Sequence, residues 1–150
     1  MAKKAVARKK AISAPNGLML KLDLTLPAKR EAVDPAVRQI MAEVRKTNRV
    51  TGKEDDIELA LSEALANAVV HGCQCDPKKT VECCVVCDDK RGVVIVVRDP
   101  GTGFDPASVP VPTEAENIHR HHGRGVYLMN HLMDEVQFHK NGTEIHMTKR

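Results

Sequence analysis

Two pairs of candidate strands, each joined by a connection too short to hold a helix, limit what this chain can fold into. Thr80 to Cys87 and Gly92 to Arg98 are runs rich in valine and cysteine, separated by Asp88, Asp89, Lys90, Arg91 and Gly92. Asp134 to His139 and Thr143 to Thr148 are joined through Asn141-Gly142, the strongest short hairpin signal. Strands connected this way run antiparallel, because a parallel pair needs a crossover of a dozen residues or more.

The rest of the pattern agrees. Leu18, Leu20, Leu22, Leu24 and Leu26 alternate with Met19, Lys21, Asp23 and Thr25, a strand with one buried face that Pro27 stops. From Pro35 to Lys46, Val37, Ile40, Met41 and Val44 follow helical spacing, with Asp34-Pro35 as cap and first-turn proline. A second helix is expected from Asp55 to His71, with Gly72 as its stop. A third, carrying Val126, Leu128, Met129, Leu132 and Met133, is opened by Gly123-Arg124-Gly125. Hairpin strands leave the helices to share one face, which gives an α+β chain built as a two-layer α/β sandwich, with a mixed, mostly antiparallel sheet of about five strands and about three helices. The alternation of a doubly wound fold is absent, as are its glycine-rich phosphate motifs.

Composition narrows the function classes. With 150 residues, 42% of them hydrophobic, one core is expected. Lys3, Lys4, Arg8, Lys9 and Lys10 hold all of the excess positive charge, so residues 1–16 read as a flexible basic tail and residues 17–150 as the domain. Phe104, Tyr127 and Phe138 are the only aromatics, too few for nucleic-acid stacking platforms. No apolar run is long enough to span a membrane or form a signal-peptide core, so a cytoplasmic protein is expected. The five cysteines are an odd number packed between Cys73 and Cys87, which reads as reduced thiols. Cys83, Cys84 and Cys87 alternate across a strand and suit small buried hydrophobes. A zinc site drawing on His71, Cys73 and Cys75, or on His119, His121 and His122, is the alternative, as is a redox-sensing thiol.

Three features could carry chemistry. Glu63 and Asn67 stand four residues apart and so share one helix face. Asp99-Pro100-Gly101-Thr102-Gly103-Phe104-Asp105 puts a carboxylate at a strand end, able to accept a hydrogen bond from an exocyclic amine, before two glycines that let a ligand approach. Gly123-Arg124-Gly125 at a helix start offers amides and a dipole to a phosphate. Singly, each has a plainer reading: the wet side of a helix, turn chemistry, an ordinary helix start. The stretch from Asp99 to His122 is also long for a mere connection.

In this order and spacing, Glu63 to His71, Asp99 to Asp105 and Gly123 to Leu128 resemble the asparagine box and the two glycine boxes of the GHKL (Bergerat-fold) ATPases. The short chain, leading strand and closing hairpin are similar to the anti-sigma factor serine kinases of bacterial partner-switching systems. The resemblance implies ATP and Mg²⁺ as cofactors, with Asn67 as the metal ligand and Asp99 on the adenine amino group. It implies that Gly101 and Gly103 hinge a lid, that Arg124 with the amides of Gly123 and Gly125 holds phosphate, and that His71, Phe104, Val126 and Thr143 also line the nucleotide site. Glu63 is implied as the catalytic base toward a serine on a partner. A sigma factor, an anti-anti-sigma (STAS-domain) acceptor and a homodimer are the implied partners, with no direct contact to nucleic acid or membrane. The alternative is a nucleotide-gated binding module without kinase activity.

Overall fold

The computed structural model describes residues 6–10, 17–102 and 121–150. Its sheet is built on the leucine strand. In β2 (Leu18–Pro27), Leu20, Leu22, Leu24 and Leu26 are buried while Asp23 and Thr25 face solvent, as the alternation requires. β3 (Thr80–Asp88) pairs with β2, and β4 (Gly92–Arg98) pairs with β3 across the short connection. The chain then forms α3 (His121–Leu132), runs out along the edge as β5 (Glu135–His139) and returns as β6 (Glu144–Lys149) between β5 and β4. The register aligns Leu22, Val85, Ile95 and Met147 in one buried row across four strands.

The α+β two-layer architecture is the one expected, with two differences in the sheet. Every strand pairing among the described residues is antiparallel, where a mixed sheet was expected. Among the described residues the sheet has six strands rather than about five, in the order β1-β2-β3-β4-β6-β5. The added strand, β1 (Val6–Lys10), comes from the segment expected to be a flexible tail, and sets Val6 opposite Thr25 and Lys10 opposite Lys21. Main-chain pairing along the edge of β2 satisfies amides and carbonyls whatever the side chains are. A hydrophobic alternation pattern does not register such a strand.

α1 (Val33–Lys46) and α2 (Glu54–Asn67) join α3 over the leucine face, burying Ile40, Met41, Val44, Ile57, Leu61 and Leu65. α1 starts earlier than Asp34-Pro35 suggests. A 3-10 turn over Arg30–Ala32 leads into it, Ala32 occupies the cap position without a side-chain bond, and Asp34 and Pro35 fall inside the first turn. Proline is tolerated there because its missing N–H has no helical partner to lose. Glu54, Asp55 and Asp56 load the first turn of α2 with negative charge that suits the helix dipole.

The second helix is regular only as far as Asn67. One wide π-helical turn, Ala68–Gly72, continues it, with the Cys73 amide bonded to the Ala68 carbonyl at 2.8 Å. In the last hairpin, Lys140, Asn141 and Gly142 all have positive φ, at 53°, 56° and 82°, so the Asn-Gly pair supplies the left-handed backbone predicted for it. Among the described residues, no helix is long and apolar enough to cross a membrane.

Candidate functional site

A cavity of about 250 Å³ opens between the end of α2, the first turns of α3 and the adjoining ends of β4 and β6. Asn67 and His71, Asp99, Val126 and Thr143 line it, so residues widely separated in sequence and expected to share a site do meet. π-turns of the kind that carries His71 recur at functional sites, where an extra residue re-aims side chains. Val97, Met129 and Ile145 give the cavity apolar walls.

Asp99 is its half-buried acid. Its amide donates to the Thr143 carbonyl at 2.9 Å, which ties the strand end to the last hairpin. Its Oδ1 accepts the Gly101 amide at 2.8 Å. Burial pushes the Asp99 carboxyl above the usual carboxylate range, against the pull of the Gly101 amide and the Lys79 ammonium.

Gly72 explains how backbone and carboxylate fit so closely. A Cβ on Gly72 would lie 2.5 Å from Asp99 Oδ1 and 2.6 Å from Oδ2, and one on Gly101 would lie 2.8 Å from Asp99 Oδ1 and against the Gly72 carbonyl oxygen. Gly72, expected only to stop a helix, is thus a site residue that the sequence reading missed. Its place directly after His71 was the available signal.

Glu63 and Asn67 converge on Gly125. A Cβ there would stand 2.9 Å from Glu63 Oε2 and 3.0 Å from Asn67 Nδ2, so α3 passes close over the ends of both side chains. The two helices run antiparallel: at the far end, the Lys149 ammonium donates to the Leu132 carbonyl at 2.6 Å and pairs with Asp56 at 3.5 Å. Asn67 reaches the cavity while Glu63 stands one turn outside it.

α3 begins at His121, two residues before the expected opening. With His121 as the first helical residue, the amide of Gly123 is the last without a helical partner, and those of Arg124 and Gly125 lie deeper in the helix. Gly103, Phe104 and His119 lie outside the described residues, as does the lid expected from Asp105 to His122 up to residue 120, while His121 and His122 belong to α3. Burial pushes the thiol of Cys83 up to about 12 and those of Cys84 and Cys87 up to about 11, which keeps them protonated at neutral pH. Among the described residues, no cluster of three or more His, Cys, Asp or Glu side chains could hold a metal ion.

A two-layer sandwich with an acid at the end of a central strand, facing a helix that carries asparagine, defines a class of nucleotide-binding domain. The family model of the histidine kinase-like ATPase domain matches residues 26–149, and the chain belongs to that family. It is 34% identical over 137 residues to an anti-sigma F factor of Clostridium perfringens strain SM101, covering 87% of this chain and 96% of the relative. It is 33% identical over 139 residues to the serine-protein kinase RsbW of Bacillus cereus strain G9842, covering 86% and 84%. An anti-sigma F factor of Bacillus cytotoxicus is 35% identical over 100 residues, covering 63% of this chain and 67% of that one.

Proposed function

We propose that the chain is an ATP-dependent protein serine kinase and anti-sigma factor of a partner-switching system, which binds a sigma factor and phosphorylates an anti-anti-sigma protein. What supports the reading most is the packing of Gly125 on Glu63 and Asn67 beside the cavity that holds Asp99. It gathers the acid, the amide and the helix start that a phosphoryl-transfer site needs, and the relatives named as an anti-sigma F factor and a serine-protein kinase agree with it.

The residues fit a magnesium nucleotide. Asp99 Oδ2 accepts from the adenine amino group, and the apolar walls take the base. The Asn67 carboxamide oxygen suits a hard cation that keeps most of its waters. The start of α3 at Gly123 would hold the phosphates, because the helix dipole favours negative charge there. When bound, Mg-ATP supplies the transferred phosphoryl group and the metal charge that offsets its oxygens. Glu63, one turn from Asn67, takes the proton of the attacking serine hydroxyl.

The same reading makes the protein cytoplasmic and a homodimer. The sheet face turned away from the helices carries half-buried Val86, Val94 and Val96, an apolar centre that a second copy can cover. Mass spectrometry tests the kinase assignment. After incubation with Mg-ATP and the STAS-domain proteins of the same genome, the wild-type chain places phosphate on a serine of one of them, and Glu63→Gln does not. Nucleotide binding without phosphoserine in any acceptor would favour a nucleotide-gated binding module.

A further inference from the structure

We infer that Arg98 and Glu144 are positioning residues for the nucleotide site, which hold Asp99 in place from the other face of the sheet; the inference rests on the nucleotide reading above. Neither side chain lines the cavity. The two stand opposite one another on β4 and β6, on the sheet face turned away from the helices. Their neighbours Val97 and Ile145, also opposed, point the other way and form part of the cavity's apolar wall. Asp99 and Thr143 follow at the strand ends and line both that cavity and a second cleft of about 270 Å³, to which Arg98, Glu144 and Lys140 belong.

The link between Asp99 and the last hairpin is thin. The Asp99 amide donates to the Thr143 carbonyl, but the Thr143 amide does not return the bond: it donates to the Lys140 carbonyl at 3.2 Å, and so does the Thr143 hydroxyl, at 2.8 Å. Beyond Asp99, Pro100 has no amide to donate, and the Gly101 amide goes to Asp99 Oδ1. Among the described residues a single main-chain bond thus ties Asp99 to the hairpin, and a strand end held so lightly opens at little cost. The pair one residue back supplies the rest. Arg98 Nε donates to Glu144 Oε1, and Glu144 is buried, so water competes little for that charge-assisted bond. Glu144 Oε2 lies 3.8 Å from the Lys140 ammonium, which draws the same carboxylate toward the turn that holds Thr143. The other pairs that β4 and β6 set on this face, Val96 with His146 and Val94 with Thr148, are not ion pairs. The charged pair stands where the next residue is the acid of the site.

The experiment measures the Kd of Mg-ADP by calorimetric titration, beside the ligand-free Tm, for the full chain and its Arg98→Met, Glu144→Gln, Arg98→Met/Glu144→Gln and Arg98→Lys variants. Ile40→Val, in the buried core of α1 and away from the cavity, is the control for loss of stability alone. The expected result is a Kd raised about three- to tenfold in Arg98→Met and in Glu144→Gln, the range for one hydrogen bond. The double variant is no weaker than the weaker single one, because both changes remove the same contact. Arg98→Lys, which keeps a cation for Glu144, stays within about twofold of wild type. Ile40→Val lowers the Tm and leaves the Kd unchanged. A Kd unchanged in either single variant, or raised as much in Ile40→Val, overturns the positioning role and leaves the nucleotide site standing. Losses that multiply in the double variant, or an Arg98→Lys protein as weak as Arg98→Met, overturn the pairing. Wild-type protein that binds no Mg-ADP overturns the nucleotide reading and the inference with it.

Discussion

Gly72 lies so close to Asp99 that a Cβ on the glycine would stand 2.5 Å from Oδ1 and 2.6 Å from Oδ2 of the acid. The π-turn and the end of β4 are therefore fitted to one another through a missing side chain. Gly72→Ala pushes the carboxylate out of its position. Its expected cost is about 1–3 kcal/mol of stability, the range for overpacking, and at least a tenfold loss of Mg-ADP affinity. Calorimetric titration alongside thermal unfolding checks both parts.

Asp99→Asn separates charge from shape. The amide oxygen can still accept the Gly101 amide, but the other position now donates and opposes an amine. Because burial raises the Asp99 carboxyl pKa, the native state holds its proton in a window just above the usual carboxylate range where the unfolded state has released it. Wild-type stability therefore falls as pH rises through that window, and the variant escapes this loss. The expected outcome is a ligand-free melting temperature at neutral pH equal to or above wild type, with the Mg-ADP shift gone. In the wild type, nucleotide binding weakens as pH falls through the same window. Melting curves with and without Mg-ADP across that range check the sign.

Gly125→Ala tests the meeting of the two helices. The atoms it would crowd, Glu63 Oε2 and Asn67 Nδ2, are ends of flexible side chains, so the helix tolerates the methyl group. Stability is expected to change by no more than about 1 kcal/mol, since alanine is the better helix former. Phosphotransfer and Mg-nucleotide binding fall together because both side chains must turn away. A transfer assay paired with thermal unfolding resolves the two effects.

Much of the frame was legible because it rests on periodicity. The Leu20 to Leu26 alternation and the Asn141-Gly142 turn each encode local geometry in a few adjacent residues, and the strands formed where they were read. Asn67 and Asp99 were legible as a shared helix face and a strand-end carboxylate, whereas their roles and the choice of Thr143 came only with the resemblance, and the meeting of Asp99 and Thr143 depends on a β4-β6 pairing that no local pattern states. Gly72 was missed because its reason is a neighbour across the fold rather than its own backbone angle. β1 was missed because residues 6–10 are joined to β2 by main-chain pairing, and a row of bases at a terminus looks like tail. The π-turn after Asn67 has no composition of its own.

Glu144 anchors the hairpin that presents Thr143. Its carboxylate is buried, accepts a hydrogen bond from the Arg98 guanidinium and lies 3.8 Å from Lys140 and 3.6 Å from His146. The Arg98 bond holds the Glu144 carboxyl below its usual range. A lowered carboxylate pKa contributes stability above the unfolded-state value and loses it as pH falls through the folded one. Glu144→Gln is expected to lower the melting temperature at pH 7 by about 2–4 °C, as about 1 kcal/mol does in a domain of this size. The gap to wild type should close in acid below the normal glutamate range, which melting curves across that range can follow.

The account rests on a magnesium-nucleotide site between α2 and Asp99, and the most direct measurement is the thermal shift of wild-type and Asn67→Ala protein with saturating Mg-ADP and Mg-ATP. At about 100 times Kd, binding to the native state alone adds about 2.7 kcal/mol, a shift of several degrees for a domain of this size. The account predicts that shift in the wild type and its loss in Asn67→Ala. Equal shifts in the two proteins, or none in the wild type, would contradict it.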